Sequence, residues 1–377
     1  MNEHQGQELR TRLAAQLSAG GHLRTQPWRQ AVEAVARHEF LRGGFFDRVD
    51  TPGQPTAWTP VMSNDPLWLE RCYEDESLVT QIAGTITPGD IRGKVLHSPT
   101  SSSTMPGLVV RMLEDLQVES GQHVLEIGTG TGYSTALLCH RLGDDLVTTV
   151  EVDVRVSARA GAGLGALGYA PHRIVGDGLA GHKDNAPYDR VIATCGIVTV
   201  PQAWIEQTRT GGIILATLSG WMYSSELARL TVNADGTASG RLLGGQVSFM
   251  LARPQTPPPL GVLPDLDQGD EQAALLGADA INDWDTRFVA QLAAPRAQRI
   301  SLNRDGRTEH VLLDVEGGSW AALHEDNGRW LVRQGGTDRL WDDIQDHLTR
   351  WKKDRAPALD QFEITVTPDR QTITWPA

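Results

Sequence analysis

The stretch Val124-Leu125-Glu126-Ile127-Gly128-Thr129-Gly130-Thr131-Gly132-Tyr133-Ser134 carries the strongest chemical signal in this 377-residue chain. An apolar run leads into three glycines at alternate positions and then into a helix-forming segment. Such a turn lets a ligand approach the backbone closely at the carboxyl end of a strand. Further on, Glu151 closes the apolar run Thr149-Val150-Glu151, where a carboxylate can accept both hydroxyls of a ribose. Gly176-Asp177-Gly178 then forms a turn whose carboxylate can accept an adenine amino group. Taken singly, a structural turn and a solvated strand-end acid are the plainer readings. Taken in order, the segments predict an adenosine-containing cofactor at Glu126, Gly128, Thr129, Gly130, Gly132, Tyr133, Glu151, Asp177 and Gly178. A dinucleotide turn places its third glycine one position later, where Tyr133 stands, and this departure favours S-adenosylmethionine over NAD.

These residues need strands that end where they begin. His123 to Ile127, Leu146 to Val152, Arg190 to Ala193 and Ile213 to Leu218 read as buried strands, with helices over Tyr133 to Leu142 and Val154 to Leu167. Strands alternating with helices predict an α/β, doubly wound, mostly parallel sheet covered on both faces. Residues 7 to 41 read as a helical lead-in broken near Gly20 and Gly21. Between Gly43 and Leu67, Pro52, Pro55, Pro60 and Pro66 suggest a long irregular loop.

Five prolines between Arg253 and Pro264 read as a linker. The expected division is therefore a catalytic domain over 1–252, a linker over 253–264 and a C-terminal α+β module over 265–377. In the module, strands are expected at 300–303, 311–315, 320–324, 330–332 and 362–366, and an amphipathic helix at 338–353. Trp320, Trp330, Trp341 and Trp351 fit its core better than a peptide-binding stripe.

The formal charge of -13 speaks against nucleic acid or an anionic membrane as partner. From Pro254 onward 21 acidic residues face 13 basic ones, so most of the excess sits in the C-terminal module, which suits a locally basic peptide. The polar start and the lack of a long apolar run predict a cytoplasmic protein. Cys72, Cys139 and Cys195 lack paired spacing and read as buried thiols. The histidines show no helix-spaced pair, and no metal is expected.

Several of these segments, in order, resemble the protein-L-isoaspartate O-methyltransferase family. Arg37-His38-Glu39-Phe40 is similar to its Arg-His-x-Phe segment, and Tyr73-Glu74-Asp75 to its Tyr-x-Asp step. Val124 to Tyr133, Gly176-Asp177-Gly178, Ala186-Pro187-Tyr188-Asp189 and the span from Val200-Pro201 to Gly211-Gly212 complete the set, within about 31–253. The resemblance implies a Rossmann-like class I methyltransferase fold. It also implies methyl transfer from S-adenosylmethionine to a carboxylate of a peptide or protein. The family's Ser-x-Pro turn, whose hydroxyl orients the substrate carboxylate, corresponds here to Thr104-Met105-Pro106. Thr104 is thus the implied catalytic hydroxyl, Ser103 and its neighbours Ser101 and Ser102 offer alternatives, and helix capping by Ser103 or Thr104 is the plainer role.

The proline-rich segment at 43–67 and the added module resemble the longer family members that tailor ribosomally made peptides such as graspetides and lanthipeptides. That resemblance implies esterification of an ordinary aspartate, followed by collapse to aspartimide. Isoaspartate repair is the alternative within the same chemistry, and a non-catalytic cofactor-binding scaffold that docks a peptide is the alternative outside it. A carboxylate is already ionised at neutral pH, so the reaction requires no general base. That accounts for the absence of an obvious His/Asp dyad.

Overall fold

The computed structural model describes residues 3–269, 271–304 and 306–376. They divide into two compact units, the first made of 1–195, 201–215 and 231–236, the second of 196–200, 216–230 and 237–377.

The first unit opens with helices α1 (Glu3–Ala19) and α2 (Gln26–Ala34), then a 3-10 turn over Arg37–Leu41. The break between α1 and α2 falls at Gly20 and Gly21, as the sequence predicts, and Gly21 takes a positive φ. The proline-rich segment is not the expected irregular loop. It forms an antiparallel hairpin of β1 (Phe45–Val49) and β2 (Ala57–Val61), and β1 continues onto β3 (Leu78–Ile82), which pairs with β4 (Pro99–Ser103). In the order β2-β1-β3-β4 the edge strand is β2, so Pro60 can sit in it without breaking an inner ladder. Phe46, Val79, Ile82 and Val95 bury one face of this sheet. A short helix α3 (Trp68–Arg71) precedes β3, and α4 (Pro106–Asp115) follows β4.

The doubly wound part comes next, with β5 (Val124–Ile127), α5 (Tyr133–Leu142), β6 (Val147–Glu151), α6 (Val154–Ala166), β7 (His172–Val175) and β8 (Tyr188–Ile197). The strands lie parallel in the order β8-β5-β6-β7. The chain winds outward from β5 to β7 and then returns to place β8 on the other side of β5. Strand order reverses between β5 and β8, the point at which open α/β sheets leave a crevice at their carboxyl ends. Every residue of β5 and β6 is buried, including Glu126, Thr148, Thr149 and Glu151, so these polar groups must be satisfied within the protein. Helix α7 (Gln202–Glu206) follows, and β9 (Thr208–Ser219) begins in the first unit and ends in the second.

In the second unit, β11 (Ala238–Leu242) pairs antiparallel with β17 (Glu363–Val366), and β17 with β18 (Gln371–Thr374); most of β10 (Ser225–Val232) also belongs here. A separate antiparallel sheet is built from β12 (Gln272–Ala273), β13 (Gln298–Arg304), β14 (Arg307–Asp314), β15 (Ser319–Asp326) and β16 (Arg329–Gly335), in the order β12-β16-β15-β14-β13. Helices α8 (Trp284–Ala293) and α9 (Leu340–Lys353) pack together. Trp320, Trp341 and Trp351 are buried, in keeping with a core role, and Trp330 is half-buried. The stretch 253–264 lies inside this unit rather than between the two. The Pro258 carbonyl accepts a 2.9 Å hydrogen bond from Gln298 Nε2, and Leu260 packs on the cluster of Leu266, Val311, Leu313 and Trp320. The compact second unit also takes in 216–230 and 237–252, which the expected boundary at 252 assigns to the catalytic domain.

Candidate active site

The turn after β5 is built from backbone that only glycine adopts easily. Gly128, Gly130 and Gly132 have φ of +92°, +56° and +98°. Two of them also have no room for a side chain. A Cβ on Gly128 would stand 2.7 Å from Thr194 Oγ1, and one on Gly132 would stand 3.2 Å from Phe40 and 3.3 Å from Ala160. Gly130 differs, because the nearest atom to its missing Cβ is the Ser102 carbonyl oxygen at 3.7 Å. That is ordinary van der Waals contact, so the outer side of Gly130 rests against the end of β4 without a clash.

Glu126 sits beneath this turn, wholly buried. Its carboxyl group accepts from Ser134 Oγ at 2.5 Å, from Thr149 Oγ1 at 2.7 Å and from Thr135 Oγ1. Burial raises its pKa above the ordinary carboxylate value, against those three hydroxyls. The sequence places Glu126 among the cofactor contacts, whereas in the structure it pins the start of α5 to β6. Thr129 is also buried, with its hydroxyl 2.7 Å from that of Thr149. Tyr133 packs edge-on against Phe40, and burial pushes its hydroxyl pKa up.

Glu151, at the end of β6, faces the turn. Its Oε2 accepts from the Gly130 amide at 2.9 Å and its Oε1 from the Asp153 amide at 3.0 Å. A carboxylate in this place is the kind of acceptor that a pair of hydroxyls seeks. Asp153 caps α6 by accepting from the amides of Arg155 and Val156. Val175 pairs with Glu151 across β6 and β7, and both Val175 and Val152, the residue after Glu151, are exposed. Two exposed valines beside an acid at the sheet's carboxyl end suit the faces of an aromatic base. Composition alone did not reveal them, but exposed β-branched residues at strand ends were the available signal. Asp177 is exposed and its carboxylate accepts from the Leu179 amide at 2.9 Å. Gly178 is required by packing, since a Cβ there would meet Ile127 at 2.5 Å.

Thr104 lies one residue past the end of β4, half-buried, and Ser103 is buried at 1% exposure. Neither caps α4, because the N-cap is Met105, with no side-chain bond of its own. The capping instead comes from a distant loop, where Asp75 Oδ1 accepts from the Gly107 amide at 2.6 Å and Ser77 Oγ from the Met105 amide at 3.0 Å. The Ser103 hydroxyl accepts from Arg37 Nε at 3.2 Å, so it is engaged inside the protein rather than presented to a ligand. Thr104 follows the strand whose Ser102 carbonyl oxygen faces Gly130.

A cavity of about 290 Å³ adjoins the turn; its lining includes Gly130, Thr131, Thr80, Ser101, Phe40 and Val156. Glu151 and Asp177 are not among the residues lining it. Cys72 and Cys139 are buried as expected, while Cys195 is half-buried. Burial pushes the Cys72 thiol up to about 12, which leaves it unreactive at neutral pH. Among the described residues no helix is long and apolar enough to cross a membrane.

Residues 89–250 match the family model described as Protein-L-isoaspartate(D-aspartate) O-methyltransferase. Among curated proteins, the chain is 34% identical over 147 residues to a protein-L-isoaspartate O-methyltransferase of Thermococcus onnurineus, covering 38% of this chain and 66% of that one. It is 43% identical over 107 residues to a protein of the same name from Methanococcus maripaludis, covering 28% of this chain and 50% of that one. The chain thus spans between half and just under two thirds of the length of these relatives. Among solved structures, a protein-L-isoaspartate O-methyltransferase superposes with a TM-score of 0.56 at 20% identity, covering 98% of this chain and all of that one. That likeness shows the fold, a Rossmann-like α/β architecture.

Proposed function

We propose, for a chain whose residues 89–250 form a domain of the protein-L-isoaspartate O-methyltransferase family, that it methylates a side-chain carboxylate in a peptide or protein with S-adenosylmethionine as donor. The observation that carries this reading is the approach of two segments. The end of β4, with Thr104 next in the chain, faces the outer side of Gly130, and Gly130 is tied to Glu151. The residues fit the cofactor on their own chemistry: positive-φ glycines clear a path for it, Glu151 places a carboxylate acceptor at the strand end, and Val152 with Val175 offer apolar flanks. When bound, S-adenosylmethionine supplies an electrophilic methyl group and leaves as the neutral thioether.

The protein's part is placement. Glu151 receives the ribose hydroxyls, Gly130 and Gly132 keep the backbone close, and Asp177 receives the adenine amino group. Thr104 donates to one oxygen of the acceptor carboxylate, leaving the other free to attack. No proton has to be removed, because the acceptor is ionised near neutral pH. Bringing two reactants into line and excluding water is then the main source of rate.

The finer reading is that the acceptor is an ordinary aspartate of a ribosomally made precursor, recognised through the C-terminal part of the chain. Its methyl ester then loses methanol as the following amide nitrogen attacks, closing an aspartimide. Isoaspartate repair is the second reading, supported by the names of the relatives. Two synthetic peptides, identical except for an L-aspartyl or an L-isoaspartyl linkage, separate them. Turnover of the aspartyl peptide to an ester that then loses methanol, leaving a product one water lighter than the starting peptide, supports tailoring, and selective turnover of the isoaspartyl peptide overturns it in favour of repair.

A further inference from the structure

Arg37 is 0% exposed, and no carboxylate lies within ion-pair distance of it among the described residues. Its guanidinium is satisfied by oxygens of two segments instead. Nη1 donates to the carbonyls of Cys72 at 3.0 Å and Glu74 at 3.1 Å, and Nη2 to that of Glu76 at 2.9 Å. Nη2 also donates to the carbonyls of Ser103 at 3.2 Å and Thr104 at 3.1 Å, while Nε reaches Ser103 Oγ at 3.2 Å. The guanidinium carbon lies 5.8 Å from the ring centroid of Tyr133, the first residue after Gly132. A buried cation is costly to keep. One that holds backbone rather than a counter-ion serves geometry, since its planar fork fixes several carbonyls at once.

Three segments meet on this one side chain. The 72–76 loop also supplies Asp75 to the first turn of α4, the 103–104 turn carries the proposed hydroxyl, and Tyr133 begins the helix after the cofactor turn. We propose that Arg37 is the positioning residue of the methyl transfer, holding the Ser103–Thr104 turn in register with the cofactor turn so that the Thr104 hydroxyl meets the acceptor carboxylate. The proposal rests on the role given to Thr104 above.

The test compares the full-length wild type, Arg37→Lys, Thr104→Val and the double variant. Ester formation is followed on whichever of the aspartyl and isoaspartyl peptides the wild type accepts, and S-adenosylhomocysteine affinity is measured by calorimetry. Misplacement of about an ångström costs on the order of a hundredfold in rate. Arg37→Lys should therefore lose about that much in kcat while its S-adenosylhomocysteine affinity stays within about twofold. In the Thr104→Val background the same substitution should change kcat little, because the group it positions is already gone. A merely structural role would lower both backgrounds alike, and multiplicative losses overturn the proposal, as does full activity of Arg37→Lys. Full activity of Thr104→Val overturns the Thr104 reading itself, which is a separate result. Should Arg37→Lys fail to fold, Ser103→Ala removes only the Nε contact. It should lower kcat severalfold in the wild type and not in Thr104→Val, and an unchanged kcat in the wild-type background overturns the proposal.

Discussion

At the scale of single residues, the three glycines of one turn have different functions, and substitutions should separate them. A Cβ at Gly130 makes only ordinary contact with the Ser102 carbonyl oxygen, so Gly130→Val suffers mainly the left-handed backbone, a cost of roughly 1–2 kcal/mol. It should fold and lose cofactor binding, which calorimetry checks; unchanged affinity in a folded variant removes Gly130 from the site. Gly132→Val collides with Phe40 and Ala160 and should unfold more readily than Gly130→Val in urea. Thr104→Ser should keep activity and Thr104→Val lose it, since a hydrogen bond to a charged group contributes about 1.5–3 kcal/mol. Glu126 gives a pH signature. Its carboxyl has a folded-state pKa raised by burial, so the stability it contributes is present below the unfolded value of about 4.3 and is lost as pH rises through the folded value. Glu126→Gln removes that titration, and urea midpoints should shift in the variant's favour as pH is raised through this range; a constant difference contradicts it. Spacing and resemblance pointed to the glycines, Glu151 and Thr104, and the structure gathers the glycine turn and Glu151 at the sheet's carboxyl end. The function of Arg37 was not, because bonds from a side chain to carbonyls 35 to 67 residues away leave no periodic trace.

At the scale of elements, the strands and helices that carry the cofactor turn were legible because short β-forming runs rich in Val, Leu, Ile and Thr alternate with helical stretches. The hairpin of β1 and β2 was hidden by its prolines, which an edge strand tolerates and an inner strand does not. Strand β7 escaped notice because it is exposed along most of its length. Helix α4 shows the same lesson at its N-terminus. Local capping by Ser103 or Thr104 was the natural expectation, and the structure uses Asp75 from 32 residues upstream. Asp75→Ala should therefore destabilise the protein by about 0.5–2 kcal/mol, the usual cost of a lost cap, read as a lower urea midpoint. It should also lower activity, because α4 begins two residues after Thr104.

At the scale of the whole molecule, removing the chain beyond Pro258 is a harsher change than the proline-rich composition suggests. It deletes β17, the partner of β11, and the helix whose Gln291 donates to the Ser224 carbonyl at 2.8 Å. Such a truncation is expected to aggregate, so the proposed role of this region in peptide recognition is better tested by binding to the intact protein. The claim on which the rest depends is methyl transfer to a carboxylate. Its most direct test is mass spectrometry of the aspartyl and isoaspartyl peptides after incubation with the full chain and S-adenosylmethionine, before and after mild base. The account predicts that one peptide gains a single methyl group on its aspartyl or isoaspartyl residue, or the methanol-loss product of that ester, and that base removes the methyl. A folded protein that binds S-adenosylhomocysteine yet leaves both peptides unchanged, or attaches a methyl group that base does not remove, would contradict it.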